Sequence, residues 1–378
     1  MANPPFLYCA TDKELFDVLM SSKQQFNENT MLALGRSRGI FLSDNDDRVA
    51  LADKLSLMVF GSHEIRAIQA EFEKAGRGEK TTSFRLNTEL SIGEIKQIAD
   101  EYKEAVGDEE KVITYGVGSN ICAVDLKYTE TDFSKTRLRQ RQSKEAHLEF
   151  KVEKGHTIVT LPATEKARTA AVALSERLYA KKQMNIDLEK VDLSNIDDAN
   201  LRTAFFTRLI SRLPSCKLQN VTRVKVDLAS KTDDDLNGED TEDGSNEEAS
   251  QQMLCVVRAV ALDGQSLLSS SEYQTLHKNG FFITSITWSS KRTESPYQIV
   301  EFDAGFDDPA LGTGFKYSVR GWATQRDGEY TKSFKPIPPD DKKMFLGLIE
   351  NTAMEVLREV KAEYVKASQQ YQVPGGGA

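Results

Sequence analysis

The first hundred residues alternate apolar positions at helical spacing with polar, glycine-bearing links. Residues 11–26 set Leu15, Val18 and Leu19 on one face, with Thr11 at the N-cap and Glu14 in capping-box position. A second helix is predicted over Glu28–Ser37. A third carries Val49, Leu51, Ala52, Leu55 and Met58 behind a cap at Ser43 or Asp44, and a fourth starts at Ser62. After the extended piece SFRL, Thr88 or Ser91 opens a fifth helix with Ile92, Ile95, Ile98, Ala99 and Tyr102 on one side. Residues 1–107 are thus expected to form a small, mostly helical domain.

The period changes near Lys111. KVITYGVG and NICAVDLKYTE read as two strands. Residues 145–162 read as a hairpin in which Leu148, Phe150 and Val152 alternate with charged residues, turning at 153–156. Pro162 stops the ladder, and Thr164 caps a helix bearing Ala167, Ala171, Leu174 and Leu178. Four strands and a helix make a second domain, 111–183. A third, 186–367, begins with a helix whose face is Leu201, Ala204, Phe205, Leu209 and Leu213. Strands follow over 217–228, 253–262, 281–290, 297–306 and 315–324, with a short helix ending at Gly280. Beyond the proline-rich 336–341, a long helix from Lys342 to Lys366 presents Met344, Phe345, Leu348, Met354, Leu357 and Val360. The predicted class is α+β: a helical N-terminal domain, then two mostly antiparallel sheet domains, each covered by a terminal helix. Residues 368–378 read as a disordered tail.

One stretch breaks every periodicity. Residues 229–252 hold nine carboxylates, with Lys231 as the lone base. Such a segment buries too little apolar surface to offset its ordering entropy, so it is expected to be a disordered loop joining two strands of one sheet. It supplies nearly all of the net charge of −9, which leaves the remainder close to neutral. Elsewhere, 39% hydrophobic and 28% charged residues match a globular chain, and no apolar run is long enough to span a bilayer. The N-terminus has no secretory pattern, and Cys9, Cys122, Cys216 and Cys255 are widely spaced. These features imply free thiols and a cytoplasmic protein, or a nuclear one in a eukaryote, with no metal site, no cofactor and no membrane partner.

The segment NTMLALGRSRGIFLSDNDDRVALADKL resembles the helix–extended–helix unit of SAP-type modules. It has an apolar first helix, Arg38–Gly39–Ile40 at the turn, and Leu51 and Leu55 in the second helix. The resemblance covers about 30 residues and implies DNA or chromatin binding. The second helix opens with DNDD where such modules carry a basic residue, and acid there repels phosphate. An independent basic feature is FSKTRLRQRQSK, in which Lys135, Arg137, Arg139, Arg141 and Lys144 have no acid among them. If extended, it would put four charges on one edge, suited to following a phosphate backbone. A solvated loop beside the hairpin, or pairing with the acidic run 229–252, would account for it as well.

The remaining chemistry is sparse. TYGVGSN and ALGTGF lack the lysine and hydroxyl of a phosphate loop and read as turns. Asp125, Glu149 and Lys151 on strands, or Glu301, Asp303, Asp307 and Asp308, could serve a metal-dependent nuclease if they converged. His63, His147, His156 and His277 have no recognisable nucleophile elbow, so no catalytic residue is assigned. The C-terminal strands are rich in aromatics, and Trp288, Tyr297, Tyr317 and Trp322 are candidate anchors for a partner protein. The leading expectation is a non-enzymatic nucleic-acid-binding protein. The alternatives are an adaptor or scaffold using the aromatic sheet and acidic loop, and a metal-dependent nuclease; the oligomeric state stays open.

Overall fold

Capping side chains set where the first helices begin. In the computed structural model, which describes residues 10–73, 79–182, 188–228, 248–255, 257, 275–276, 278–326, 329–331 and 333–370, α1 (Asp12–Met20) starts after Thr11 and closes the reciprocal box with Glu14. Helix α2 (Glu28–Ser37) is capped by Asn27. Helix α3 (Arg48–Ser56) is capped by Asp47, whose carboxylate accepts from the Ala50 N–H at 2.8 Å. The cap therefore falls later than Ser43 or Asp44. Next come α4 (Ser62–Glu73), strand β1 (Thr81–Leu86) and α5 (Ile92–Val106), where Ser91 and Glu94 form a second capping box.

Strands β2 (Lys111–Val117), β3 (Ile121–Thr131), β4 (Arg141–Glu153) and β5 (His156–Pro162) follow, then α6 (Glu165–Lys182), β6 (Leu188–Lys190) and α7 (Ala199–Ser211). The chain closes with β7 (Cys216–Leu228), β8 (Phe281–Arg292), β9 (Ile299–Gly305), β10 (Lys316–Ala323), the small pair β11 (Gln325–Arg326) and β12 (Glu329–Tyr330), and α8 (Pro339–Gln370).

The fold is mixed α+β, with a helical N-terminal stretch and one large antiparallel sheet. Ten strands join it in the order β2-β3-β4-β5-β1-β10-β9-β8-β7, with β6 also on β1. The expectation of two separate sheets is thus not met, because β1 changes the topology. It pairs with β5 along its whole length, from Thr81↔Pro162 to Leu86↔Thr157. It also pairs with β6, and with β10 at Thr81↔Tyr317.

The chain divides into two interleaved units: Met1–Gly76 with Ser91–Glu149 and Thr169–Gln183, and Arg77–Leu90 with Phe150–Arg168 and Met184–Ala378. They do not follow the sequential boundaries 1–107, 111–183 and 186–367. In the first unit Leu15, Val18, Leu19, Met31, Leu51, Leu55 and Ile65 form the helical core.

In the second unit Trp288 stacks on Phe302 at 5.3 Å, and Phe302 meets Phe345 of α8 edge-on at 5.8 Å. Phe205, Phe206, Phe306 and Phe315 pack nearby. Strand β9 presses close on β8: a Cβ at Gly305 would lie 2.8 Å from the Cβ of Ser285, its cross-strand partner. Residues 229–247 of the acidic run lie outside the described residues. Its last residues, 248–252, belong to a helical segment that continues to 255, where a strand over 253–262 was expected. Ala249, Met253 and Val257 recur every four residues and are buried in the core, which is a helical stripe.

Candidate interaction surface

The basic segment is extended only at its end, where Arg141 and Lys144 lie on β4. Residues 133–140 form consecutive turns, with a bond from the Asp132 N–H to the Gln140 carbonyl at 2.7 Å. Leu138, in the middle of the charges, is 2% exposed and belongs to the helical core, and Gln69 donates to its carbonyl. Three of the five charges pair with acids of the first unit. Lys135 pairs with Asp132 at 3.1 Å, Arg137 with Glu14 at 2.9 Å, and Lys144 with Glu130. Hydrogen bonds from Ser134 and Lys135 hold the Asp132 carboxyl down at about 2. Glu14 is disfavoured as an anion by burial, but the Thr11 N–H and Arg137 outweigh that and lower its pKa. Arg139 is half-buried, and Arg141 is exposed at the start of β4.

The same unit exposes apolar side chains on two neighbouring loops. Phe41 is 86% exposed, Val59 87% and Leu57 70%. Arg38 ties these loops together: its guanidinium donates to the Val59 carbonyl and lies over the Phe60 ring at 4.4 Å. Gly39, at φ 74°, lets the chain turn sharply out of α2 just before Ile40 and Phe41.

On the sheet of this unit, Ile113, Tyr115 and Val117 alternate on β2 and are exposed, while Val112 is buried. The Tyr115 hydroxyl bonds Asp125, and Asp125 Oδ1 lies 2.6 Å from His147 Nδ1. Burial and the bond to Asp125 both push the Tyr115 pKa up. This trio orients an imidazole, but no group of three or more His, Cys, Asp or Glu capable of holding a metal occurs among the described residues. Lys151 pairs with Glu153 at 2.8 Å.

The second acidic cluster is spent on structure. Asp303 accepts from Thr287 at 2.9 Å and pairs with Lys80, while Asp307 is clasped by Arg168 and Lys316. Glu301 faces Arg320 at 3.7 Å, and Asp308 accepts from the Leu311 N–H in a turn. His63 is exposed and His156 lies near Glu153, whereas His277 falls outside the described residues. TYGVGSN is the end of β2 running into a turn at Gly118, and ALGTGF lies in a turn; Gly118, Gly312 and Gly314 have positive φ.

The aromatic anchors are mostly core. Trp288 and Tyr317 are fully buried, Trp322 packs against the same core, and only Tyr297 is half-exposed. Beside them lies a buried polar pair that the sequence did not flag. Glu350 of α8, 6% exposed, faces Arg85 of β1 at 3.5 Å, too far for a good hydrogen bond. Arg85 also donates to Asn351 at 2.6 Å, and Tyr317 donates to Ser83 at 3.0 Å. The available signal was Glu350 occupying the inward stripe of Leu346, Ala353 and Leu357.

No family model and no curated protein sequence matches the chain. Among the described residues, no helix is long and apolar enough to cross a membrane.

Proposed function

We propose that the protein is a non-enzymatic interaction module that holds a partner protein through its N-terminal helical unit. The observation that carries this reading is the exposure of Phe41, Leu57 and Val59 on loops joined by Arg38. Neighbouring large apolar side chains left in water mark interaction sites more often than isolated ones do. The aromatic Phe41 and the bordering Arg38 are also of the residue types enriched at protein interfaces. The surface therefore differs from the C-terminal aromatic sheet, whose strongest anchors are buried.

Nucleic-acid binding through Lys135–Lys144 is the competing reading. It receives less support, because a polyanion would have to displace Asp132, Glu14 and Glu130 from their lysine and arginine partners. The two separate in one comparison. The triple variant Phe41→Asp, Leu57→Asp, Val59→Asp should fold normally and lose a partner that the parent chain retains reproducibly. Arg137→Glu, Arg139→Glu, Arg141→Glu should keep that partner. Salt-dependent retention of labelled DNA or RNA by the parent, abolished in the arginine variant, would overturn the proposal.

A further inference from the structure

The two ends of the sheet differ in how they meet solvent. Strand β7, at one end, carries Lys217, Arg223 and Lys225, and its pairing with β8 is interrupted by three register shifts. Edge charges and bulges of this kind block the addition of a further strand. Strand β2, at the other end, has no register shift and carries one charge, Lys111, at its first residue. Its register with β3 runs unbroken from Lys111↔Lys127 to Val117↔Ile121, and its outer side chains Ile113, Tyr115 and Val117 are exposed. On the side away from β3, where no described strand pairs with it, every second residue turns its N–H and C=O outward.

That edge borders an open cleft. Lys111, Val112, Ile113 and Thr114 form one side, and Asp100, Lys103, Gly107 and Asp108 the other. The helix side of the cleft belongs to an acidic stretch, and Asp100, Asp108 and Glu110 line it together with Lys103 and Lys111. Residues 100–111 carry six carboxylates against two lysines, and all six except Glu110, which is held by Tyr102, are exposed. Helix α5 also ends at Val106, so the negative end of its dipole faces the same space.

We propose that β2 accepts an extended, basic peptide segment of a partner protein as an added strand. Its backbone would continue the ladder, its apolar residues would meet Ile113, Tyr115 and Val117, and its lysines or arginines would meet Asp100 and Asp108 in the cleft, with the exposed Glu104 and Glu109 of the same stretch adding to the field. The site is separate from the Phe41 loops and stands whether or not those bind anything.

The test uses the full chain and fluorescein-labelled peptides of alternating lysine and valine, read by anisotropy. The basic peptide should bind and weaken with salt. Its glutamate–valine counterpart should not bind, and N-methylation of alternate residues should cost roughly tenfold or more in affinity. Ile113→Lys, at an exposed position, should have a similar effect, and Asp108→Lys with Glu109→Lys should remove most of the salt dependence. The Phe41, Leu57, Val59 variant should bind as the parent does, so the two proposals can fail separately. Equal binding of acidic and basic peptides, or indifference to N-methylation, would overturn strand addition. A dimer in light scattering that Ile113→Lys dissolves would assign the edge to a second copy and overturn the basic partner.

Discussion

Replacing Glu350 by glutamine should change how stability responds to pH far more than it changes the fold. Burial against the sheet pushes the Glu350 carboxyl from 4.5 up to about 7, and Arg85, 3.5 Å away, only partly opposes this. The folded pKa lies above the unfolded one, so the sign is that of an acid disfavoured as an anion. Below about pH 4.5 both states are protonated and there is no penalty. Between 4.5 and 7 the unfolded chain ionises while the folded chain holds its proton, and stability falls. Above about 7 the loss is complete. At roughly 1.4 kcal/mol per pKa unit, the difference amounts to about 3 kcal/mol. Glutamine keeps the shape without the charge. The stability of Glu350→Gln relative to the parent should therefore rise by about 3 kcal/mol between pH 4 and pH 8. Urea unfolding followed by tryptophan fluorescence reads this directly, because both tryptophans, Trp288 and Trp322, lie in the unit that holds Glu350. A parent–variant difference that is constant with pH would refute the reasoning. A variant that loses ground as pH rises would show that the ion pair with Arg85 outweighs burial.

Three further outcomes follow from packing. Leu138→Ala removes the core anchor of the basic turns and should cost about 2–5 kcal/mol in thermal unfolding. Faster tryptic cleavage at Arg137 and Arg139 should accompany it, and an unchanged cleavage rate would count against the anchor. Gly305→Val drives a side chain into Ser285 and should cost about 1–3 kcal/mol. Adding Ser285→Gly should recover part of that loss, whereas additive losses would deny the contact. Met253→Asp buries an unpaired charge and should cost more than about 3 kcal/mol. A surface strand at 253–262 would instead tolerate it.

Local rules carried the reading of local structure. Thr11 with Glu14, the alternation of Leu148, Phe150 and Val152, and the buried Phe205 and Leu209 of α7 are local signals with structural counterparts, although Leu213 falls past the end of α7 at Ser211. What escaped was long-range. Strand β1 reads as extended, but nothing in six residues tells that its partners are β5 and β10, the latter more than two hundred residues away. At 253–257 the β-branched Val256 and Val257 suggested a strand, while the four-residue spacing of Ala249, Met253 and Val257 decided for helix. The alternating arginines suggested an open edge because Glu14, the partner of Arg137, is 123 positions distant. Trp288 and Tyr317 were read as surface anchors because alternation names two faces of a strand without telling which one the core takes. Phe41 and Val59 escaped for the opposite reason. Exposure of an apolar residue in a loop depends on what fails to cover it.

The most direct test of the central proposal places a photo-crosslinkable phenylalanine analogue at position 41 or at position 137, in the full chain in its native cell. A discrete protein adduct is expected from position 41, lost when Leu57 and Val59 are changed to aspartate, and no nucleic-acid adduct from position 137. Crosslinks to DNA or RNA from position 137, with none to protein from position 41, would contradict the proposal.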